Sequence, residues 1–428
     1  MKIGIQTWGS NGDVRPFIAL AGGLSAAGHD VTLAFTGVDN KDYSSLAGRL
    51  NFRIFRAFDK FEITPEMIER LIHCILKERN PVKQLSVILD DFFEPAVGDM
   101  YEASVKLCEE NEIVIGHFIV YPLRAAAEKT GRLYITVALN HGFMSSRYAP
   151  PVGLPDIGTW INPLWWKLVD AMINRGIKPQ VNGFLTREGL RPVERIGCDF
   201  WESKLLNLIA VSPHFCRTQK DWKAHNQVCG FFNVPESAED WHMPDDLKRF
   251  IETGTPPVYM TFGSLMPPFP EGQEEIANLM YDAVALAGCR AIIQTSLDDL
   301  SHLPKRPDVY YIKETPHSRI FPYCAAVVHH GGAGTTQSAT LAGCPSVVVA
   351  HIVEQQIWGC ELKRLGIAPK LINRRSLTAK RLADAMRRVL LSPLMKARAQ
   401  KISRAMRNED GVGKAVELIE RRLSGPNR

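Results

Sequence analysis

One stretch of the chain, residues 327–359, combines the residue types that bind an anion. It reads VVHHGGAGTTQSATLAGCPSVVVAHIVEQQIWG, and its anion-binding candidates are His330, Gly331, Gly332, Gly334, Thr335 and Thr336. Glycines permit torsions that are closed to other residues and let the main chain approach a ligand, while threonines can open a helix. Because free N–H groups in the first turn of a helix attract phosphate, the pattern predicts a phosphate cradle, to which His330 could add a donor.

Two apolar runs would carry this cradle to one edge of a sheet. Ala325–Val328 is typical of a strand covered on both faces, and Ser346–Ala350 is a second such run, followed by Glu354 and Gln355. In an open parallel sheet both loops lie outside the carboxyl ends of the strands, where ligands bind. We therefore expect a phosphate and a polyhydroxyl group to bind at the same edge.

A second candidate for chemistry, Asp13, lies near the amino terminus. The pattern predicts a strand over Lys2–Trp8, a turn over residues 9–13, a helix beginning near Pro16 and a second strand over Val31–Phe35. This is a βαβ unit. Its glycine spacing is not GxGxxG and no acidic residue ends the second strand, which argues against a dehydrogenase.

The two stretches resemble one enzyme family. The runs HHGGAGTT and AGCPSVVV, with EQ followed by WG, resemble the donor-binding signature of family-1 glycosyltransferases of the sterol and antibiotic glucosyltransferase branch. GSNGDVRPFIALAGGLSAAGHDV is similar to the amino-terminal motif of that branch. The resemblance covers nearly the whole chain and implies an α/β protein of the GT-B fold. In that fold two Rossmann-like, doubly wound domains face each other across a cleft, and a C-terminal helix crosses back to the first.

The resemblance also implies roles for single residues. Asp13 falls on the aspartate proposed as the catalytic base, and Gly12 beside it is assigned to the donor site. Glu354 and Gln355 would hold the sugar hydroxyls, although the branch usually has aspartate at the position of Glu354. The diphosphate of a nucleotide-sugar would be held by His330, Gly332, Gly334, Thr335 and Thr336.

Two further turns complete the expected donor site. The strand VYMTFGS ends at Gly263 and Ser264, whose backbone and hydroxyl could meet the diphosphate from the opposite side, as the FGS turn of the family does. Pro316 and His317 follow a strand predicted at Val309–Ile312 and are expected to be neighbours of the nucleotide base.

The acceptor is expected to bind in residues 150–192. This segment contains Trp160, Trp165 and Trp166 among scattered prolines and glycines, and its helical pieces look less regular than the flanking βα units. Such connections often line ligand clefts, so the segment predicts a pocket for a flat, apolar molecule. Core packing is the equal alternative. His141, in the loop after a strand, is the reserve candidate for acceptor contact and for the base.

Each of these residues also has a simpler explanation. Asp13 could cap the helix that is expected to begin near Pro16, and His330 could be an ordinary polar residue at a strand end. Glu354 and Gln355 could be surface residues at a helix start. The sequence alone leaves these alternatives open, and the family motif favours the functional ones.

Length and composition fit a two-domain enzyme. At 428 residues the chain suits two α/β domains of about 200 residues each. We expect an acceptor domain over 1–228, a nucleotide-sugar domain over 229–408 and a returning helix over 409–428. Leu208–Ser212 is expected to be the last strand of the first domain.

Composition and targeting signals favour a cytoplasmic location. With 45% hydrophobic residues, the chain has no apolar run of the roughly 18 residues that span a membrane, and MKIGIQTWGS lacks signal-peptide features. Its 9 cysteines form neither a disulfide framework nor a CxxC site, so reduced thiols are expected.

The charge is uneven along the chain. Residues 361–428 contain 18 Lys and Arg against 6 Asp and Glu, a net charge of +12, which leaves −7 for residues 1–360. This basic end could contact anionic lipid headgroups, and solvated helix surface is the alternative. No nucleic-acid motif is present, so no nucleic-acid partner is expected.

The chemistry follows from the needs of sugar transfer. A nucleotide-sugar carries its own leaving group, so the enzyme must stabilise the diphosphate and deprotonate an acceptor hydroxyl. The glycine turn, His330 and the helix dipole would replace a metal ion, and no DxD-like carboxylate pair lies in the donor signature, so neither metal nor cofactor is expected. A single displacement at an α-linked donor would yield a β-glycoside.

Three classes of function remain. The leading one transfers a hexose, expected to be glucose, from UDP-glucose or a TDP-sugar to a hydroxyl of a lipophilic acceptor such as a sterol, macrolide or polyphenol. The others are a nucleotide-sugar epimerase or hydrolase and a non-catalytic nucleotide-sugar or lipid binder, because fold does not fix function. The donor signature favours the transferase, and the presence of Asp13, His330 and Gln355 argues against an idle relative.

Overall fold

The computed structural model describes residues 1–39, 41–59, 61, 64–78, 80–234, 241–263 and 270–424. Contacts divide the chain into two compact units. The first unit is Met1–Val234 with Glu409–Arg428, and the second unit is Pro235–Asn408. Each unit is built on one parallel sheet, so the predicted pair of α/β domains is confirmed.

In the described part of the first unit the sheet has seven strands, in the order β3-β2-β1-β4-β5-β6-β7. The strands are Lys2–Gly9 (β1), Asp30–Gly37 (β2), Arg53–Arg56 (β3), Ile113–His117 (β4), Leu133–Ala138 (β5), Leu206–Ile209 (β6) and Asn226–Val228 (β7). The helices that connect them are Asn11–Ala26 (α1), Ser44–Arg49 (α2), Pro65–Leu76 (α3), Pro81–Phe92 (α4), Val97–Glu110 (α5), Tyr121–Thr130 (α6) and Asn162–Arg187 (α7).

Successive side chains of these strands enter different cores. Ile113 and Ile115 of β4 pack with Phe17 of α1 on one face of the sheet, whereas Val114 packs with Leu107 of α5 on the other. A strand covered on both faces must be apolar at nearly every position, which is why the sequence shows continuous apolar runs.

In the described part of the second unit the sheet has six strands, in the order β10-β9-β8-β11-β12-β13. They are Val258–Thr261 (β8), Ala291–Gln294 (β9), Val309–Ile312 (β10), Ala326–His329 (β11), Ser346–Ala350 (β12) and Ile372–Asn373 (β13). The helices are Asp245–Glu252 (α8), Pro270–Ala287 (α9), His317–Ile320 (α10), Ala333–Leu341 (α11), Val353–Arg364 (α12), Ala379–Leu390 (α13) and Pro393–Met406 (α14). β11 and β12 are parallel neighbours, with Val328 paired to Val347, so the loops that follow them lie at the same edge.

The last helix, Gly411–Ser424 (α15), belongs to the first unit. Ala415 and Ile419 are fully buried in the core cluster that contains Phe17 of α1. Val412 lies so close to Gly23 of α1 that a β-carbon on the glycine would overlap it. The carboxyl-terminal segment therefore completes the core of the first unit.

The structure differs from the sequence predictions in four places. α1 begins at Asn11 and contains Pro16 in its interior, instead of beginning near it. β6 is not the last strand of its sheet, because the short β7 pairs with it. The excursion expected to be irregular forms one 26-residue helix, α7. The division between the units falls after Val234, six residues beyond the expected boundary at 228, because Cys229 and Phe232 pack in the first core.

Among the described residues, no helix is both long and apolar enough to cross a membrane.

Candidate active site

The glycine turn between β11 and α11 is built as a helix start with free donors. Gly332 is the N-cap of α11, and the first intrahelical bond runs from the Thr336 N–H to the Gly332 carbonyl, at 2.9 Å. The N–H groups of residues 333–335 therefore have no partner within the helix. The Thr336 Oγ1 is also buried without a partner among the described residues. The turn thus presents several donors to a ligand, as an anion site requires.

His330 lies beside these donors and is only 9% exposed. Burial lowers its pKa to about 4, so the ring is neutral at neutral pH. Within the described part of the chain, its buried Nδ1 has no hydrogen-bond partner. A buried ring nitrogen without a partner is costly unless a ligand or water satisfies it. The structure therefore places an unsatisfied neutral imidazole next to the free amides.

Two glycines make room for this ring. A β-carbon on Gly332 would overlap the His330 Nε2, and one on Gly263 would lie 2.9 Å from the Cε1. Gly263 also has a φ of 57°, which other residues rarely adopt. Both glycines were assigned to the donor on the basis of the motif, and the structure shows that the histidine itself requires them.

The other glycines of the turn have different reasons. Gly331 has a φ of 93°, donates its N–H to the His329 Nδ1 at 3.0 Å and would place a β-carbon 2.8 Å from the Gln355 carbonyl oxygen. At Gly334, by contrast, a β-carbon would have no described atom within 4 Å. Protein packing therefore explains Gly331 but gives no reason for Gly334.

Gln355 serves the start of α12. It is buried, and its Oε1 accepts from the N–H of His351 at 2.8 Å and from the N–H of Ile352 at 3.3 Å. These two bonds hold the carboxamide oxygen at the helix start, so that the Nε2 is the end that can donate to a sugar hydroxyl. Gln355 is therefore at the helix start but buried, whereas the simpler explanation expected a surface residue. Glu354 precedes it in the first helical turn and is exposed.

The residues expected near the nucleotide base follow β10. Pro316 is the N-cap of α10, and the His317 ring stacks on Phe321 with ring centroids 4.3 Å apart and an interplanar angle of 15°. This stacking fixes the plane of His317 at the same sheet edge.

Two further residues were assigned to the diphosphate. Thr335 is buried in the first turn of α11, while Ser264 lies outside the described residues.

Two more buried histidines line the ends of β11 and β12 and were not assigned a role from sequence. The Nδ1 of His351 lies 3.0 Å from the Val349 carbonyl oxygen, and its ring packs edge-on against Phe262 at 4.8 Å. Burial lowers the pKa of both His329 and His351 to about 3. Together with His330 they add neutral dipoles but no positive charge near neutral pH, so the amides and the helix dipole must supply most of the attraction for an anion.

Asp13 lies in the first turn of α1 in the first unit. Its Oδ2 accepts from the Ser10 N–H at 2.8 Å and from the Ser10 Oγ at 3.1 Å. Asp13 therefore does cap its helix, as the simpler explanation proposed. Both bonds use Oδ2, so Oδ1 is the oxygen able to take a proton. Gly12, next to it, is exposed at the helix start.

The pKa of Asp13 is raised from 3.8 to about 6, mainly by burial. The two bonds from Ser10 oppose this shift, and the negative charge of Asp39 adds to it. Asp39 follows β2, and its Oδ2 accepts from the N–H of Asn11, the first residue of α1, at 2.9 Å. Asp39 was not identified from sequence because it belongs to no motif. Asp39 connects the loop after β2 to the helix that carries Asp13. The raised pKa of Asp13 suits a general base.

The expected acceptor residues lie in different environments. Trp160 is 92% exposed just before α7, whereas Trp166 is buried and its Nε1 donates to the Ala149 carbonyl oxygen at 2.8 Å. Trp165 is partly buried, and His141 lies in the loop after β5, where its carbonyl accepts from the Met144 N–H at 3.1 Å. The structure thus places Trp166 in the interior and Trp160 at the surface, and contact of either with an acceptor stays a prediction.

Across the described residues, no group of three or more His, Cys, Asp or Glu side chains is placed to hold a metal ion.

Several known proteins are similar to this chain in sequence. The family described as erythromycin biosynthesis protein CIII-like, C-terminal domain, matches residues 279–417. A sterol 3-beta-glucosyltransferase of Arabidopsis thaliana is 30% identical over 99% of this chain and 66% of its own length. The O-mycaminosyltylonolide 6-deoxyallosyltransferase of Streptomyces fradiae is 28% identical over 98% of this chain and 97% of its own length. The chain thus spans about two thirds of the plant relative and nearly all of the bacterial one.

Solved structures agree on the fold. The glycotransferase of kitacinnamycin superposes with a TM-score of 0.68 over 99% of both chains, at 20% identity. The glycosyltransferase VinC in complex with dTDP superposes with a TM-score of 0.63 over 99% of this chain and 100% of its own, at 18% identity. These likenesses confirm the predicted GT-B fold. By its motifs, its two parallel-sheet units and its relatives, the chain belongs to the glycosyltransferase family that contains the sterol 3-beta-glucosyltransferases and the macrolide glycosyltransferases.

Proposed function

We propose that this glycosyltransferase moves a hexose from UDP-glucose or a TDP-sugar to a hydroxyl of a lipophilic acceptor and forms a β-glycoside. The observation that carries the proposal is the buried, neutral His330 with its unpartnered Nδ1 beside the free amides of α11. The names of the relatives support the acceptor class, since one acts on sterols and another on a macrolide. The dTDP in the VinC structure supports a nucleoside-diphosphate sugar as the donor, since dTDP is the part of such a donor that leaves.

In the proposed reaction the second unit binds the donor. The amides of residues 333–335 and the imidazole of His330 bind the diphosphate and stabilise the charge that develops as it leaves. The Nε2 of Gln355 donates to a sugar hydroxyl, and Glu354 accepts from another. Because the amides, the helix dipole and the imidazole together stabilise the diphosphate in this mechanism, it predicts that no metal ion is needed.

Asp13 of the first unit supplies the base. A carboxylate with a pKa of about 6 is ionised at neutral pH and is a better base than an ordinary aspartate. It still cannot deprotonate an alcohol completely before attack, so proton transfer accompanies the bond from the acceptor oxygen to the anomeric carbon. Attack opposite the leaving diphosphate inverts that carbon.

Product analysis tests the proposal against its alternatives. The purified protein is incubated with UDP-glucose or dTDP-glucose, with and without sterol, macrolide and polyphenol acceptors, and the products are identified by mass spectrometry and by the anomeric proton coupling. A β-glycoside that forms only with acceptor supports the transferase. Free sugar or an epimerised donor without acceptor would identify a hydrolase or epimerase, and binding without turnover would identify an idle relative.

A metal-free arm tests the role of the glycine turn. Activity is expected to persist in EDTA, and activity that returns only with Mg²⁺ or Mn²⁺ would show that a cation neutralises the diphosphate. A cytoplasmic location and a contact of the basic residues 361–428 with anionic lipid also remain predictions.

A further inference from the structure

Buried histidines lie on both sides of the glycine turn in the donor site. His329 ends β11, while His330 and His351 follow β11 and β12, and burial lowers the pKa of each ring to about 3 or 4. α11, which begins at the turn, contains no acidic or basic residue. In the free protein the three rings are therefore neutral near pH 7, although the diphosphate of a nucleotide-sugar is an anion.

Hydrogen bonds distinguish the three rings. The Nδ1 of His329 accepts from the Gly331 N–H at 3.0 Å, so a proton on that nitrogen would break the bond. The Nδ1 of His351 lies 3.0 Å from the Val349 carbonyl oxygen and must carry the ring proton, because a carbonyl only accepts; this leaves its Nε2 bare. Within the described residues the Nδ1 of His330 has no partner. His330 and His351 are therefore the two rings that can take a second proton.

Neighbouring charge favours His330 over His351. Burial lowers the pKa of His351, and His330 and Arg374 lower it further. Burial is the cause that lowers the pKa of His330. A ring that burial keeps neutral becomes charged when an anion arrives, whereas a ring near an arginine is opposed by a like charge. The second proton is therefore expected on His330.

Other ionisable groups border these rings. His317 of α10 contributes to lowering the pKa of His329, the residue before His330, after burial and His330 itself. Glu354 is exposed in the first turn of α12. A nearby cation disfavours a charged ring and a nearby carboxylate favours it, so these groups act in opposite directions. Variants, and not the shape of a pH profile, must therefore assign the proton.

The geometry places His330 next to the anion. Gly332 is the N-cap of α11, and a β-carbon on Gly332 would overlap the His330 Nε2. The ring thus lies against the helix start whose free amides, at residues 333–335, attract a phosphate. A diphosphate that binds these amides is a close neighbour of the imidazole.

The sizes of the two opposing effects are similar. A ring with a pKa of about 4 is protonated in roughly one molecule in a thousand at pH 7. One negative charge about 4 Å away favours the imidazolium by about a thousandfold where the effective dielectric constant is about 20. A single phosphate at that distance is therefore enough to protonate about half of the rings, and the second phosphate adds to the effect.

We propose that His330 takes up a proton as the nucleotide-sugar binds, so that an imidazolium lies beside the diphosphate when it leaves. This inference rests on the proposed function, which places the diphosphate at this turn. The diphosphate gains negative charge as its bond to the sugar breaks, and a positive charge beside it stabilises that change. The donor site thus acquires a cation only while the donor is bound.

Calorimetry of UDP-glucose binding counts the proton directly. UDP-glucose is preferred to UDP because both of its phosphates are diesters, whereas the terminal phosphate of UDP itself titrates near neutral pH. Titrations of wild type at pH 7 in PIPES, ACES and Tris should give binding enthalpies that rise with the ionisation enthalpy of the buffer. The slope equals the number of protons taken up and should be about 0.5 to 1.

Three variants assign the proton. His330→Gln should bind UDP-glucose about tenfold more weakly and with a slope near zero, because an amide does not titrate. His351→Gln is the matched control and should keep the wild-type slope. Asp13→Asn should also keep it, which excludes a proton taken up by the aspartate whose pKa is about 6.

Two further measurements rely on wild type. UDP-glucose affinity should rise as the pH falls from the pKa of the bound ring towards about 4, by up to about tenfold per pH unit, because the protonated form binds more tightly. Nitrogen-15 NMR of histidine-labelled protein, with His330 assigned through its backbone, should show an imidazolium once UDP-glucose is added. The NMR result decides the question even if His330→Gln does not fold.

Three results would overturn the inference. They are wild-type binding with a slope of zero, a wild-type slope in His330→Gln, and a slope lost only in His351→Gln, which would place the proton on His351. Binding without proton uptake rejects this inference and leaves the proposed function intact. If wild type binds neither UDP-glucose nor dTDP-glucose, the proposed donor is rejected and the inference with it.

Discussion

Gly9 lies directly over the carboxylate of Asp13. The φ of Gly9 is 130°, and a β-carbon there would lie 2.6 Å from the Asp13 Cγ. The end of β1 therefore closes over the proposed base, and only glycine satisfies both the torsion and the contact.

Gly9→Ala should displace the Asp13 carboxylate and lower turnover by at least about tenfold, within the range attributed to general bases. Gly28→Ala is the control, because Gly28 also has a positive φ, of 86°, but no described atom within 4 Å. It should cost about 1–2 kcal/mol of stability and leave turnover unchanged. Equal turnover of Gly9→Ala and wild type would show that the contact does not position the base.

Asp13→Asn should lower turnover by roughly 10² to 10⁴ while UDP affinity barely changes, since the amide keeps the shape but lacks the basicity. The measurement is single-turnover transfer to an alcohol acceptor, with UDP binding measured by calorimetry. Near wild-type turnover would reject Asp13 and direct the search for the base to His141.

The same variant has a stability readout. Folding raises the pKa of Asp13 from 3.8 to about 6, so the folded state binds the proton more tightly and the ionised carboxylate destabilises it above pH 6. That cost disappears below pH 3.8, where both states are protonated. The melting temperature of Asp13→Asn relative to wild type should therefore be highest above pH 6 and should decline as the pH falls.

Asp39→Asn should shift the pH profile of the reaction. Wild-type kcat/KM is expected to rise with pH through about 6 as Asp13 ionises. Removing the charge of Asp39 stabilises the ionised form of Asp13, so the midpoint should move to lower pH, while the new amide oxygen can still accept from Asn11. Asp42→Asn, an exposed carboxylate on the same segment, should leave the midpoint in place. An unchanged midpoint in Asp39→Asn would mean that the charge of Asp39 does not affect the pKa of Asp13.

Gly334→Ala should separate ligand binding from folding. Because a β-carbon there meets no described atom, the variant should fold as well as wild type, and alanine favours the helix by up to about 1 kcal/mol. UDP affinity should nevertheless fall by about tenfold or more, since the methyl group blocks close approach of the diphosphate. His330→Ala should weaken UDP binding by a similar factor. Wild-type UDP affinity in both variants would show that the diphosphate does not bind at this turn.

Glu354→Ala tests the sugar contact separately from the diphosphate contact. The ranking of donor sugars by kcat/KM should change, while the affinity for free UDP should stay within about twofold, because UDP carries no sugar on its terminal phosphate. Lys363→Ala, in the last turn of the same helix, is the control. An unchanged ranking would return Glu354 to the role of a surface residue.

Local patterns in the sequence were sufficient for the elements that hold the donor residues. The strands Ser346–Ala350 and Val309–Ile312 were predicted with their observed bounds, and β11 within one residue. Buried parallel strands must be apolar throughout, and an N-cap, a proline or a glycine marks where a helix begins or ends. The start of α1 at Asn11 was also readable, because Ser10 and Asp13 have the spacing of a capping box. The predicted start was placed near Pro16 instead, because proline is favoured in the first turn of a helix.

The remaining features depend on neighbours that are distant in the sequence. The short β7 forms because β6 offers it an edge, and α7 is continuous because its inner face packs on the first core. Burial by other elements raises the pKa of Asp13 and keeps His330 neutral. Gly332 and Gly334 belong to one motif, yet a β-carbon would overlap His330 at Gly332 and would meet no described atom at Gly334. The sequence by itself determined which residue types meet at each turn, because those requirements are local. Only the tertiary structure decided their protonation, their free space and which apolar residues stay exposed, because these depend on what packs against them.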